Sequence, residues 1–175
     1  MTAVPARVAW AVSLLAPRAG ERVLEVGCGP GVAAQLVGGL LAAGPATAGS
    51  AAGWMLAVDR SATAVRRTSA RVAGLPVGVR QAELSELDDI AGSFDAAFTI
   101  DVNVFWTGPA ERSVGVLARA LRPGGRLLIA YGAGGPTTGD RLTRPIAAGM
   151  DASGLTGVRV IHHADGIGVL GHAPG

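Results

Sequence analysis

Residues 22–36, RVLEVGCGPGVAAQL, carry an apolar run into a glycine-rich turn and then into a helical pattern. The turn, residues 27–31, holds three glycines and one proline. Glycine adopts positive φ without steric cost and leaves the backbone open to a ligand. The following helix directs its free N–H groups towards the turn. In an open α/β sheet this crevice is where ligands bind, so the stretch predicts a ligand site rather than a tight turn alone.

The rest of the chain alternates short apolar runs with helical patterns, which is typical of a parallel α/β sheet. The apolar runs predict strands over residues 23–26, 55–58, 77–79, 94–100 and 127–131. The helical patterns cover residues 31–43, 61–73, 109–121 and 140–150. Two further strand-like runs, 157–164 and 166–173, flank the hairpin signal Asp165-Gly166. We expect a doubly wound, mostly parallel, seven-stranded Rossmann-like sheet with helices on both faces and a C-terminal antiparallel hairpin over residues 157–174.

Composition indicates one globular domain over residues 1–175, because the chain is 49% hydrophobic and 16% charged. No apolar run approaches the roughly 18 residues that cross a bilayer. Residues 1–20 lack a clear cleavage motif, so we expect an N-terminal helix in a cytoplasmic protein. All 15 basic residues are arginine and the net charge is only +2. This small charge does not predict a nucleic-acid partner.

The polar residues that bind metals or nucleic acids in other proteins are sparse here. The single cysteine, Cys28, excludes an internal disulfide and is expected to pack rather than to act as a nucleophile. His162 and His163 occupy adjacent strand positions that face opposite ways, so we expect no metal site. One basic cluster has no interleaved aromatic residue and predicts a solvated face rather than an RNA contact. It comprises Arg66, Arg67, Arg71 and Arg80.

The spacing of the glycines argues against a dinucleotide. The dinucleotide fingerprint G-x-G-x-x-G would place a glycine at position 32, where this chain has Val32. Glu25 lies two residues before the first glycine. A carboxylate there suits a positively charged ligand and is a poor neighbour for a pyrophosphate.

The glycine turn and the segments that follow it resemble those of a known family. The segment LEVGCGPG (24–31) is similar to the first motif of class I S-adenosylmethionine (SAM)-dependent methyltransferases. The likeness continues in order over nearly the whole chain, through LAVDRSATAV (56–65), VRQAELSEL (79–87), FDAAFTIDVNVFW (94–106) and LRPGGRLLIAYG (121–132). The resemblance implies an enzyme that uses SAM as cofactor and leaves S-adenosylhomocysteine as product.

The resemblance also implies a set of cofactor-binding residues. In it, Glu25 lies near the methionine ammonium, and Asp59 accepts hydrogen bonds from both ribose hydroxyls. Asp59 together with Ser61 also suits a helix N-cap, and both roles are compatible. The full set is Glu25, Gly27, Cys28, Gly29, Gly31, Asp59, Arg60, Ala82, Glu83, Leu84 and Asp101.

Two features depart from the family pattern. Gly31 and Asp59 are 28 residues apart, against about 20 in nucleotide-binding folds, and a small-residue loop over residues 44–53 accounts for the excess. Glu83 stands where the family commonly has an aspartate that accepts from the adenine amino group, with Leu84 offering its N–H to the ring. A solvated surface glutamate is the alternative for Glu83.

The resemblance places the methyl acceptor beside the loop after the fourth strand. The predicted substrate-binding residues are Asn103, Phe105, Trp106 and Tyr131. Core packing remains an alternative for Trp106 and Tyr131. No catalytic base is assigned, because methyl transfer needs one only when the acceptor must lose a proton.

A small-molecule acceptor is expected, since the chain lacks the NPPY or DPPY pattern of many amino-group methyltransferases that act on nucleic acids and proteins. The alternatives are a SAM-binding partner without activity, or a methyltransferase of RNA or protein. Three candidates for closing the site stay open: the N-terminal helix with Trp10, a second subunit in a homodimer, or a bulky substrate.

Overall fold

The structure, a computed structural model, describes residues 3–43, 52–134 and 139–175 and contains a seven-stranded sheet with helices on both faces. The strands are β1 (Arg22–Val26), β2 (Trp54–Asp59), β3 (Val77–Gln81), β4 (Phe94–Ile100), β5 (Leu121–Gly132), β6 (Thr156–His163) and β7 (Gly166–His172). The helices are α1 (Ala6–Leu15), α2 (Val32–Ala43), α3 (Ala62–Arg71), α4 (Val104–Thr107), α5 (Ala110–Ala120) and α6 (Asp140–Ala152). Most of the predicted loop at 44–53 lies outside the described residues.

The sheet has the order β3-β2-β1-β4-β5-β7-β6. Strands β1 to β5 are parallel, and β7 runs antiparallel between β5 and β6. The predicted hairpin is confirmed, with His163 paired to Gly166 across a turn of Ala164 and Asp165. The fold class predicted from the sequence is therefore correct.

Strand β5 begins six residues earlier than the prediction of 127–131, at Leu121. Leu121 pairs with Phe94, and the register then shifts so that Arg126 pairs with Ala96. Residues 123–125, Pro-Gly-Gly, lie inside this irregularity. Gly124 donates its N–H to Pro174 O at 3.0 Å. Proline and glycine suggested a loop, but a bulge accommodates them within the strand.

Two hydrophobic layers cover the sheet. Alternation along β1 directs Leu24 and Val26 to one face, where they pack with Leu117 of α5 and Ile146 of α6. Val23 faces the other layer, which α1 and α2 cover. Glu25, two residues on, points to the same side as Val23. Because β1, β2 and β4 are parallel, their carboxyl ends lie side by side at the same end of the sheet.

Helix α1 is anchored to the sheet at its C-terminal end. Arg126 of β5 donates to Leu15 O at 2.6 Å and to Ala16 O at 2.9 Å. The same guanidinium pairs with Glu21 at 2.7 Å, and both side chains are nearly buried. A cation at this end also favours the helix dipole. Among the described residues, the helices are too short or too polar to cross a membrane.

Candidate functional site

The glycine turn is fixed against the end of β2. Gly27 N and Cys28 N both donate to Val58 O, at 2.8 and 3.1 Å. Gly27 and Gly31 have φ of +80° and +77°, a region that disfavours any residue with a Cβ. At Gly31 an added Cβ would also lie 2.8 Å from Thr68 Oγ1 and 2.9 Å from Thr68 Cα. Backbone conformation therefore favours glycine at positions 27 and 31, and packing against Thr68 adds a second reason at position 31.

Asp59 and the glycine turn converge. Asp59 Oδ2 accepts from Gly29 N at 2.9 Å, and Oδ1 accepts from Ser61 N at 2.9 Å. Ser61 Oγ in turn accepts from Ala64 N at 3.4 Å and caps α3. The Asp59 carboxylate thus contacts both the glycine turn and Ser61, the residue that caps α3. Its role towards ribose hydroxyls stays a prediction.

Helix α3 supports the turn through two residues that sequence reasoning missed. Thr68 is fully buried and donates from Oγ1 to Gly29 O at 3.0 Å. Arg71 Nε donates to Pro30 O at 2.8 Å. Arg71 was predicted to lie on the solvated basic face, and that prediction is wrong for it. Arg66 and Arg67 are exposed, as expected.

Glu25 lies in the wall beneath the turn. It is 3% exposed, and its Oε2 has no hydrogen-bond partner among the described residues. Desolvation by burial, together with the nearby Asp59 charge, raises the pKa of this carboxyl to about 8. A buried carboxyl of this kind is a candidate contact for a cation.

Cys28 contributes backbone and packing to the turn. Its Sγ lies 3.4 Å from Thr68 Oγ1, and its side chain is buried. Burial raises the pKa of the thiol to about 12. A thiol that stays protonated is a poor nucleophile, in agreement with the packing role expected for it.

A cleft of about 1400 Å³ opens beside the turn, at the carboxyl ends of β1, β2 and β4. Many of the predicted cofactor-binding residues line it, and we refer to it below as the cleft. Those that do are Gly27, Asp59, Arg60, Ala82, Glu83, Leu84 and Asp101. The other four predicted residues do not line the cleft: Glu25, Cys28, Gly29 and Gly31. The outer part of the cleft follows α5, which the sequence analysis did not assign to the site; there Glu111, Arg112, Val116 and Arg119 line it.

Glu83 has a structural role that the sequence analysis did not consider. It is the N-cap of a short 3-10 helix, Leu84–Glu86, in a reciprocal capping box with Glu86. Glu83 N donates to Glu86 Oε2 at 2.8 Å. Glu83 is exposed, as the alternative of a solvated surface glutamate expected, and its side chain also takes part in the cap. Contact with an adenine amino group remains a prediction.

Asp101 ties the cleft to α1 and β5. Its Oδ2 accepts from Arg7 Nε at 2.7 Å, and its Oδ1 accepts from Gly132 N at 2.7 Å. Its φ of 58° is in the left-handed region, which is unusual for a residue other than glycine. The family resemblance allows either the Asp101 carboxylate or its backbone to hold the methionine ammonium. Because Arg7 already pairs with the carboxylate, the backbone is the better candidate.

The acceptor side of the cleft only partly matches the prediction. Asn103 lines the cleft. Phe105 is fully buried in the core, and Trp106 packs half-buried against the same core, so neither is among the residues that line the cleft. The one-turn helix α4 directs both rings inwards. The apolar wall expected from them comes from Val102 and Val104 instead.

Tyr131 also lies outside the cleft lining, contrary to the prediction of a substrate contact. It is buried, and its hydroxyl donates to Val102 O at 2.7 Å. Burial raises the pKa of the phenol, and the Asp101 charge adds to this effect. The hydroxyl therefore holds the loop that lines the cleft instead of facing an acceptor.

Tyr131→Phe is expected to lower the free energy of unfolding by about 1–3 kcal/mol, because the Val102 carbonyl loses its buried donor. Urea unfolding measures this loss. SAM affinity should change by less than about threefold, since the hydroxyl faces the loop rather than the cleft. A large loss of SAM affinity with unchanged stability would instead place the hydroxyl in the binding site.

The N-terminal helix does not bring Trp10 to the cleft. The indole stacks on His163 at 5.6 Å between ring centroids, with an interplanar angle of 10°. Only the first turn of α1 approaches the site, through Arg7 and Asp101. Within the described ranges, no cluster of three or more His, Cys, Asp or Glu side chains is arranged to hold a metal ion.

Comparison with known proteins agrees with this geometry. A family model described as "Methyltransferase domain" matches residues 23–125. A protein-L-isoaspartate O-methyltransferase from Methylorubrum populi is 35% identical over 167 residues, which cover 95% of this chain and 71% of that protein. An uncharacterized 37.1 kDa protein of a Streptomyces fradiae transposon is 35% identical over 113 residues, covering 64% of this chain and 30% of that protein.

Solved structures share the fold at low sequence identity. A SAM-dependent methyltransferase from Aquifex aeolicus superposes with a TM-score of 0.74 at 17% identity, covering 94% of this chain and 88% of that one. A SAM-dependent O-methyltransferase from Thermotoga maritima gives 0.75 at 15% identity, covering 98% and 66%. With the family model and the Methylorubrum relative, these findings show that the chain is an enzyme of the class I SAM-dependent methyltransferase family.

Proposed function

We propose that this enzyme transfers the methyl group of SAM to a small molecule bound in the cleft beside residues 102–107. The observation that supports this proposal is the juxtaposition of the glycine turn and Asp59 with a short acceptor-side wall. That wall presents one amide, one hydroxyl and aliphatic groups, from Asn103, Thr107 and Val104. Such a surface suits a compact acceptor that is held by a few polar contacts.

The residues present fit the cofactor. An added Cβ at Gly29 would have no heavy atom within 4 Å, so the turn is open to a ligand there, and Asp59 presents a carboxylate beside Gly29. Glu25 offers a buried oxygen without a partner in the described part of the chain. When bound, SAM supplies an electrophilic methyl group on a sulfonium. The chain would hold the ribose with Asp59 and the methionine portion with the turn and the backbone of Asp101.

The chain's contribution to the transfer is alignment and exclusion of water. Orienting two reactants is worth about 7–11 kcal/mol of a barrier. Of the described residues that line the cleft, none is a histidine, and the Asp101 carboxylate there is already paired with Arg7. We therefore assign no general base and give positioning the main role.

A protein acceptor is the second candidate, and one observation favours it. The Methylorubrum relative, 35% identical over 95% of this chain, is named for O-methylation of L-isoaspartate in proteins. In that case the acceptor would be the free α-carboxylate of the isoaspartyl residue, whose peptide bond runs through its β-carboxyl, and a carboxylate needs no deprotonation at neutral pH. Such an acceptor is also compatible with a site that works by alignment.

Incubation with SAM labelled in its methyl group separates the two candidates. The enzyme is given a low-mass cell extract, a synthetic peptide containing L-isoaspartate, and the same peptide with L-aspartate as the matched control. Label in a low-mass product, with neither peptide methylated, supports the proposal. Label in the isoaspartyl peptide alone would replace the proposal with the protein acceptor. Asp59→Ala provides the background in each assay.

A further inference from the structure

We propose that Glu25 is a neutral carboxylic acid in the free enzyme and gives up its proton when the cationic cofactor binds, so that cofactor binding is coupled to proton release. The proposal rests on the family's cofactor and on the buried position of Glu25. It does not depend on which acceptor is methylated, so it can fail or hold independently of the small-molecule proposal.

The position of Glu25 in the sheet isolates it from water. It lies in β1 between Ala57 of β2 and Phe98 of β4, and it is 3% exposed. Its Oε2 is buried with no partner among the described residues. The ion pairs formed within that part of the chain do not include it. An ionised carboxylate in such a position pays the full cost of desolvation.

The charges near Glu25 add to that cost. Asp59 of β2 is the neighbouring acid, and its carboxylate accepts the N–H groups of Gly29 and Ser61. The Cys28 thiol from the turn is the other titratable neighbour, and burial keeps it protonated. Helix α3 contributes the neutral Thr68 hydroxyl beside the turn. The Asp59 charge therefore adds to desolvation in favouring the neutral form of Glu25.

On α1, which covers the same face of the sheet, the charged side chain nearest the site is Arg7, and it is paired with Asp101. The described residues of α2 that face this layer are apolar. Glu25 therefore has no cation among these groups until a ligand brings one.

SAM carries a sulfonium, an ammonium and one carboxylate, so it is a net cation, and the family resemblance puts its ammonium near Glu25. A positive charge nearby favours the carboxylate form and offsets the repulsion from Asp59. The step balances as loss of one proton from the Glu25 carboxyl to the solvent, with no other bond made or broken. Binding of SAM should therefore become tighter as pH rises towards 8.

Calorimetry in buffers of different ionisation enthalpy tests the coupling directly. With a pKa of about 8 in the free enzyme, titration of SAM at pH 7 should release about 0.9 proton per site. Glu25→Gln, which has the same shape and no proton to lose, should release about one proton fewer than wild type. The amino group of SAM titrates near pH 8 itself, so at pH 7 completing its protonation takes up only about 0.1 proton, which is small beside the difference expected from Glu25.

The same titrations also give the affinity for SAM, whose pH dependence is a second test. Between pH 7 and 6, SAM binding to the wild type should weaken by about tenfold, and binding to Glu25→Gln should change much less. Equal proton release and equal pH dependence in the two proteins would overturn the proposal.

The free enzyme offers a test that does not need the variant to bind SAM. The folded pKa of Glu25 is raised above the unfolded value of 4.5. The stability that the neutral acid contributes is therefore complete below pH 4.5 and is lost as pH rises through about 8. Relative to Glu25→Gln, the wild-type Tm should fall between pH 5 and 8. Parallel Tm curves for the two proteins would overturn the proposal.

Discussion

Asp59→Ala is expected to weaken SAM binding by about two orders of magnitude or more while the protein stays folded. In the proposed complex the carboxylate accepts two charge-assisted hydrogen bonds from the ribose hydroxyls. Each such bond is worth about 1.5–3 kcal/mol, so the loss of both weakens affinity by about two orders of magnitude or more. Calorimetry with SAM and S-adenosylhomocysteine measures the loss of affinity. Parallel titrations with decarboxylated SAM and NAD measure the selectivity of the site for its cofactor.

Ser61→Ala is the matched control for the alternative role of Asp59 in the helix cap. Ser61 caps α3 through Ala64 N, so its removal should cost about 1 kcal/mol of stability without a comparable loss of cofactor affinity. If Asp59→Ala bound SAM as well as Ser61→Ala does, the carboxylate would serve only the turn. Tight NAD binding by the wild type would contradict the choice of cofactor.

The fold could be predicted because its signals are local. Apolar runs marked β1 to β4, although β3 at the sheet edge is only half-buried, and Asp165-Gly166 marked the terminal hairpin. The start of β5 could not be predicted, because Pro-Gly-Gly at 123–125 normally ends a strand. Only the register between Phe94 and Leu121 shows that the strand passes through it.

The site could be predicted where strand ends determine it. The glycine turn and Asp59 each follow a strand directly, so their convergence depends only on the neighbouring positions of β1 and β2. Thr68 and Arg7 were missed because they reach Gly29 and Asp101 across 39 and 94 residues of chain. No local pattern marks such pairs.

The errors on the acceptor side have a different cause. The family resemblance placed Phe105, Trp106 and Tyr131 at the cleft, and core packing, the alternative for Trp106 and Tyr131, is what the structure shows. Which way each ring points depends on the single turn of α4 and on the hydrogen bond from Tyr131 to Val102. Aromatic rings bury large areas, so the core competes successfully for them when a short helix allows it.

Gly31→Ala is expected to be among the most damaging single substitutions in the site. The φ of +77° disfavours a Cβ by about 1–2 kcal/mol. The new methyl group would also meet Thr68 Cα at 2.9 Å, and relief of such a contact costs about 1–3 kcal/mol more. We expect a loss of about 2–5 kcal/mol in urea unfolding, with weaker SAM binding because the turn must move away from α3.

Gly29→Ala separates the two causes of this loss. Gly29 also has positive φ, +53°, but an added Cβ there would have no heavy atom within 4 Å. Its substitution should cost only the backbone strain, about 1–2 kcal/mol. Thr68→Ala combined with Gly31→Ala should recover little, since the close contact is with the α3 backbone. Equal losses at Gly29 and Gly31 would mean that backbone conformation alone, and not packing against α3, requires glycine in the turn.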